Sequence, residues 1–446
     1  MQNIHNFIAD INWNELPVTV QTMSKHCLLD ILGVAIAAHT TLAAQIASKF
    51  ATMQFGQSKN SCARLIGFDG TCSVPGAAFS GAILIDSLDA HDGHRLTKGH
   101  AGATVLPSLL AMVDHLSSEK IAISGKYFLE LMVIGYEVSL RTGIELHSST
   151  EEFHTSGAWA PIGVAAMGAK LLQLNQSQLN HALGIAEYYA PRSPMMRCID
   201  QPTMVKDGAG WGALAGISSV YMAQEGFTGA PALSVTRADE KDYFLRYELL
   251  NQYFKPWPIC RWAQPAVEAI VILQKQFSFS IKDVKEIKIS TFHHAVRLAN
   301  KPPTSSDEAQ YSIGYPVAAM LAKGKIGAEE MNESSLNDPI IRKLQKTIKL
   351  EENQCHTNAF PAKRFANVTI TLQSGDTLAT ENVEARGDIE NPLSNEEIQT
   401  KFIQLTKGII SESKQNQLIK LIENLDKEDN IKGLLDLITG KPSYIL

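Results

Sequence analysis

From residue 18 to about 275, apolar positions recur every three and four residues along the chain. The stretches VTVQTMSKHCLLDILGVAIAA, VPGAAFSGAILIDSL, ATVLPSLLAMVDHL, GKYFLELMVIGYEVSLRTGIEL and SGAWAPIGVAAMGAKLL each keep that spacing for ten residues or more. This periodicity predicts helices. Several are apolar nearly all round, which places them inside a bundle, and their Ala and Gly content lets neighbours approach closely. Near residue 280 the period changes to two. VKEIKISTF (284–292) and FANVTITLQSGDTLA (365–379) alternate apolar with polar residues and are rich in β-branched side chains, so they predict strands, the second turning at Ser-Gly-Asp. Between them, QYSIGYPVAAMLAKG and SLNDPIIRKLQKTI read as helices. Beyond them, NPLSNEEIQTKFIQL carries a Ser-x-x-Glu capping pattern, and KQNQLIKLIENL and DNIKGLLDLI complete the chain as amphipathic helices.

The pattern predicts a mainly α protein: a large all-helical bundle domain built from both chain ends, with an inserted smaller α+β domain. The expected boundaries are 1–270 and 393–446 for the two parts of the bundle and 271–392 for the insertion. A length of 446 residues agrees with two cores, since one core rarely grows beyond roughly 250–300 residues. A cleft between two such units is a common place for a ligand.

Composition narrows the function. A formal net charge of −6 argues against general nucleic-acid binding, which normally shows as a basic excess. The most apolar stretch near the start, CLLDILGVAIAA, carries an aspartate and is too short to span a bilayer. The first residues lack a basic start followed by an apolar run. Six scattered cysteines without a CxxC pair read as reduced thiols. The expectation is a cytoplasmic protein without a membrane partner.

The chemistry concentrates in LDAHDGHRLTKGHAGA (88–103), where Asp89, His91, Asp92, His94 and His100 crowd together. His91 and His94 have HxxH spacing with carboxylates beside them, as metal sites do, but no second ligand cluster follows downstream. An acid–base reading pairs the Asp89 carboxylate with His100 across the glycine-rich turn. A plain solvated turn is the third reading. Elsewhere, PRSPMMRCIDQPTMVKDGAGWGALAG (191–216) brings Arg192, Arg197 and Lys206 to a loop before a glycine-rich helix start, and FKPWPICRWAQPAVEA (254–269) sets Lys255 and Arg261 among aromatics. His154 stands just ahead of the small-residue helix after 156. Cations in apolar Gly/Pro-rich loops of an acidic chain suit carboxylate binding. Removing a proton next to a carboxylate needs a base, an acid and preorganised cations, so the expected partner is a small di- or tricarboxylate.

Together these stretches, with LLDILGVAIAA, AQYSIGYPVAAML and ARGDIENPLSNEEIQTKF, resemble the MmgE/PrpD family, whose members include 2-methylcitrate dehydratase, cis-aconitate decarboxylase and iminodisuccinate epimerase. The resemblance spans nearly the whole chain in family order. It implies a homodimer with a site at the domain interface, no metal and no cofactor. It also implies that Asp89, His100, His154, Lys206 and Tyr315 are catalytic, with His154 or Asp89 as base and His100 or Tyr315 as proton donor. Lys206, Arg192, Arg197 and Arg261 would hold carboxylates, and His91, His94, Lys255 and Gln264 would line the site.

Two positions depart from the family pattern. Gly93 stands where the decarboxylase-type motif has threonine, in a loop one residue longer, and Gln264 stands where many members carry histidine. Glutamine shuttles no protons near pH 7. These departures place dehydration of a methylcitrate-like acid first, epimerisation next to it and decarboxylation below. They also leave open a carboxylate-binding homologue without catalysis.

Overall fold

A computed structural model describes residues 4–442 apart from 57, 59–60 and 240–245. Its centre is a group of helices formed where the apolar spacing predicts them: Val74–Asp86, Gly102–Ser118, Gly125–Ser148 and Ala160–Leu171, with Ala209–Gln224 packed across them. Small residues set their separation. A Cβ on Gly163 would lie 2.1 Å from Ser139 Oγ and 2.2 Å from the Gly135 carbonyl oxygen, so Gly125–Ser148 and Ala160–Leu171 cross at a distance only glycine permits.

Both chain ends join this core. Helix Asn395–Thr406 begins with the predicted capping box, Ser394 with Glu397, and lies along helix Val18–Ala38. Phe402 is buried there against Gly33, and Lys401 reaches inward to Asp30 Oδ1 at 2.5 Å and to the Ala90 carbonyl at 2.7 Å. A buried ammonium from the last part of the chain therefore fixes the backbone of the histidine-rich loop.

The second core runs from Ile259 to Val383 and also takes in Met195, Cys198 and Ile199. Its sheet has four strands: β1 (Val284–Thr291), β2 (Ile348–Glu352), β3 (Ala366–Leu372) and β4 (Thr377–Ala379). The order is β2-β1-β3-β4, with β2 parallel to β1 and the other pairs antiparallel. Strand β2 falls in and just beyond a stretch whose pattern reads as helix. The helix there is only Pro339–Gln345, capped by Asp338, and the following residues extend to pair with β1. Helix Gln264–Gln276 begins inside the span assigned by sequence to the bundle, yet its Val267, Ile270 and Leu273 pack in the second core beside helix Gly314–Lys323.

All six cysteines are free thiols. No single helix among the described residues is long and apolar enough to cross a membrane.

Lys401→Met should leave the buried Asp30 carboxyl without its cation. We expect a loss of about 3–5 kcal/mol in urea unfolding, the usual result of removing one member of a buried ion pair. Adding Asp30→Asn should restore part of it.

Candidate active site

Helix Val74–Asp86 ends at Ser87, and the chain then turns through Asp89, whose φ of +54° lies in the left-handed region. Lys255 holds it there. The Lys255 ammonium donates to Asp89 Oδ1 at 2.6 Å and to the Asp89 carbonyl at 3.0 Å, and both side chains are buried. The loop beyond is pinned, not a free solvated turn. Gly93 and His94 pair with Tyr253 and Gln252 in a short antiparallel ladder, and the His94 N–H donates to the Gly99 carbonyl. A Cβ on Gly93 would lie 2.5 Å from Tyr253 Oη and 2.6 Å from His100 Nδ1. The glycine at this position makes room for those two rings.

His100 sits at the centre. Its Nδ1 meets the Asp92 carbonyl at 2.5 Å, its backbone N–H donates to Ser156 Oγ, and its ring lies 4.3 Å, centre to centre, from that of His91. Burial, then the Lys255 and His91 charges, push its pKa well below the usual histidine range. The ring is therefore neutral near pH 7, with the Nδ1 hydrogen given to the carbonyl and a lone pair on Nε2. That nitrogen faces Asp207 Oδ2 at 3.7 Å.

Asp207 is the complementary group. Ser156 Oγ donates to its Oδ2 at 2.9 Å, while burial and the nearby Asp86 and Asp89 carboxylates raise its pKa to about 7. Crowded carboxylates cannot all stay ionised in a dry site, so one retains a proton. Asp92, buried and receiving the Tyr136 hydroxyl at 2.8 Å, is raised to about 6. Lys206, at φ +39°, donates to Gln310 Oε1 at 2.5 Å, pairs with Asp307 at 3.1 Å and lies over the Tyr311 ring. A cavity of about 550 Å³ opens beside the cluster, lined in part by Asp86, Ser87, Thr155, Arg197, Cys198 and Lys206.

The structure brings Asp89, His91, His100 and Lys255 into one buried cluster and puts Lys206 on the adjoining cavity wall. His91 Nε2 faces Asp86 Oδ1 at 3.4 Å, and neither atom has a hydrogen-bond partner among the described residues. Other expected residues lie elsewhere. His94 pairs with Glu248 at 3.2 Å. His154 is partly exposed, stacked against His147, with Nδ1 at the Glu152 carbonyl. Tyr315 is buried in the second core and gives its hydroxyl to the Glu330 carbonyl at 2.7 Å; Tyr311, four residues earlier, faces the site instead. The two tyrosines belong to different elements: Tyr311 closes the short helix Ser306–Gln310, whereas Tyr315 lies in the first turn of Gly314–Lys323 and is fully buried in the second core. Arg192 is exposed, and Arg197 is exposed at the cavity rim. Arg261 is engaged by Asp388 at 2.7 Å and by the Ala385 and Arg386 carbonyls. Gln264 donates to the Trp257 and Ile259 carbonyls, so its amide serves the fold.

Asp86, Ser156, Asp207 and Tyr311 escaped the sequence reading. Asp86 lies three residues before Asp89 on an apolar helix face, and Asp207 sits inside the quoted KDG, the signals that were available. The ligand atoms of Asp89, His91 and His100 lie within 4.8 Å of one another, close enough for a metal. The Lys255 ammonium on Asp89 makes that donor set unfavourable for a dication, because the two cations would compete for one carboxylate. The chemistry that fits is proton transfer.

Fold and site together describe a helical protein with a buried acid–base centre next to the seam of two cores. The MmgE/PrpD N-terminal domain matches residues 2–246 and the MmgE/PrpD C-terminal domain residues 257–427, and the chain belongs to the MmgE/PrpD family. The change of domain lies just before the second core begins at Ile259. Human cis-aconitate decarboxylase is 26% identical over 443 residues, covering 94% of this chain and 90% of that protein. A cis-aconitate decarboxylase of Aspergillus terreus is 23% identical over 98% of this chain and 95% of its own. The mitochondrial 2-methylcitrate dehydratase of Yarrowia lipolytica is 24% identical, covering 85% of this chain and 78% of that protein.

Because the folded pKa of Asp207 is raised, its contribution to stability is present at pH 4 and lost as pH rises through about 7. Asp207→Asn mimics the protonated acid. It should match wild type near pH 4 and exceed it above pH 8 by on the order of 2 kcal/mol in denaturant titrations. Gly93→Thr should displace the His100 and Tyr253 rings and lower kcat/KM at least tenfold, read against an unchanged circular-dichroism spectrum.

Proposed function

We propose that this chain is a lyase for a small di- or tricarboxylic acid and works by proton transfer beside a carboxylate. The observation that carries the reading is the His100–Asp207 pair: a neutral imidazole with a free Nε2 lone pair facing, at 3.7 Å, a carboxyl group raised to about 7. Near neutral pH one group is ready to accept a proton and the other to give one. In a dehydration, the base takes the proton α to the carboxylate, the carbon–carbon double bond forms, and the carbon–oxygen bond breaks as the acid protonates the leaving hydroxyl. Lys206 and Lys255 are the cations placed to stabilise the charge that builds on the substrate carboxylate.

Decarboxylation is a second reading, favoured by the relatives named cis-aconitate decarboxylase. Here the carbon–carbon bond to the carboxylate breaks, carbon dioxide leaves, and the electron pair left on carbon takes the acid's proton. The relatives give this reading equal standing with dehydration, against the order suggested by Gly93 and Gln264. Gln264 is also the residue on which a purely binding role rested, and its amide is occupied by backbone carbonyls.

The test is product analysis by NMR in deuterated buffer with 2-methylcitrate, citrate and cis-aconitate. Water loss supports dehydration, and carbon dioxide release supports decarboxylation. Deuterium entry without either product marks epimerisation, and inertness toward all such acids overturns the proposal. His100→Gln and Asp207→Asn should each lower kcat by about 10²–10⁴. If protonated Asp207 is the acid, kcat/KM falls as pH rises above about 7, and Asp207→Asn removes that limb.

A further inference from the structure

Among the described residues, two cations at the seam of the two cores lack the carboxylate partners that their neighbours have. Arg364, just before β3 in the second core, is buried at 3% exposure. Its Nη2 donates to the Arg95 carbonyl at 3.2 Å, whereas Nε and Nη1 are buried with no acceptor among the described residues. The guanidinium lies 5.5 Å from the centre of the Tyr253 ring, whose other near neighbours include Arg261 at 4.7 Å and the edge-on His100 ring at 6.3 Å. The carboxylates nearby are already taken: Asp388 pairs with Arg261, and Glu390 with Arg95 at 2.8 Å.

Lys98 stands beside Arg364 at the end of the histidine-rich loop. It is partly buried, its Nζ lies 4.3 Å over the Phe153 ring, and that nitrogen donates to the Leu96 carbonyl at 3.1 Å. Burial, then the Arg364 charge, lower its pKa to about 8. Its φ is +51°, and Asp89 and Lys206 share that left-handed conformation; these are three of the five non-glycine residues in that region among the described residues. Strain of this kind persists where surrounding structure imposes it, and it clusters at functional sites. Unsatisfied guanidinium hydrogens in a buried position call for an anion.

We infer that Arg364 and Lys98 bind a carboxylate of the substrate and so select acids by the number of carboxylates they carry. The inference rests on the proposed function, because it assigns a subsite to the same centre. Arg364 comes from the second core and Lys98 from the first, so an acid bridging them with Lys255 or Lys206 contacts both units. Neither residue is placed to move a proton; both hold the substrate.

The test compares tricarballylate, an inert tricarboxylate, with glutarate, which has one carboxylate fewer, by calorimetry on the full chain. Steady-state kinetics on whichever acid is turned over run alongside. Wild type should prefer tricarballylate. Arg364→Gln and Lys98→Gln should each weaken tricarballylate at least tenfold and glutarate less than threefold, raise KM, and leave kcat within threefold. Arg364→Lys should recover part of the loss. Equal losses for both acids, or a fall in kcat with unchanged KM, would overturn the inference. Should Arg364→Gln fail to fold, Lys98→Gln, at a partly exposed position, decides. If wild type turns over a tricarboxylate while both variants bind as wild type does, the subsite is refuted and the proposed function stands. If wild type neither binds nor converts any di- or tricarboxylate, both fail.

Discussion

The Lys255–Asp89 ion pair is the constraint around which the rest of the site is arranged. Lys255 follows Phe254, a member of the first core, and precedes Ile259, the start of the second, so its ammonium sits where the chain passes between them. A buried ammonium is tolerable only with a close acceptor, and it finds two on Asp89, the carboxylate and the carbonyl. The contact holds Asp89 in a left-handed conformation that its side chain would otherwise avoid. The same charge acts on His100 and, after burial, is the largest influence keeping that imidazole neutral. One interaction thus fixes the backbone of the loop and the protonation state of its central base.

Around this pair, polar groups are buried in greater number than they are satisfied. Asp86 Oδ1, Asp89 Oδ2, His91 Nε2, and Arg364 Nε and Nη1 have no hydrogen-bond partner among the described residues. Such groups lower stability in a free protein, and a bound acid with several carboxylates and a hydroxyl supplies donors and acceptors of the matching kind. Elsewhere in the bundle the packing is close: helices meet through glycine contacts, and helix Asn395–Thr406 contributes Phe402 to the first core and Lys401 to Asp30.

The comparison between pattern and structure separates along the range of the forces involved. Helices such as Val18–Ala38 and Gly125–Ser148, and strands β1 and β3, begin and end close to where the apolar spacing puts them. Strand β2 did not show, because five residues following a short helix carry too little periodicity and their extension depends on pairing with β1. Helix Gln264–Gln276 was legible as a helix, but its choice of core was not. In the site, Asp89, His100, Lys206 and Lys255 stood out as charges in apolar or glycine-rich surroundings. Asp86 and Asp207 did not, since only their mutual proximity, created by two separate segments, makes them unusual.

The sequence by itself determined the periods of its elements, the two-part helical framework with its α+β unit, and the concentration of titratable groups in LDAHDGHRLTKGHAGA, because these follow from residue type and local spacing. Tertiary structure alone decided which of those groups meet. It set Tyr311 under Lys206, buried Tyr315 against the Glu330 carbonyl, gave the Gln264 amide to backbone carbonyls, and left Arg364 Nε and Nη1 beside Tyr253 without an acceptor among the described residues. The physical reason is that pKa, hydrogen bonding and strain are set by neighbours within a few ångströms, and the contacts that matter most here, Lys255 on Asp89, Asp86 beside Asp207 and Lys206 on Gln310, join segments more than a hundred residues apart.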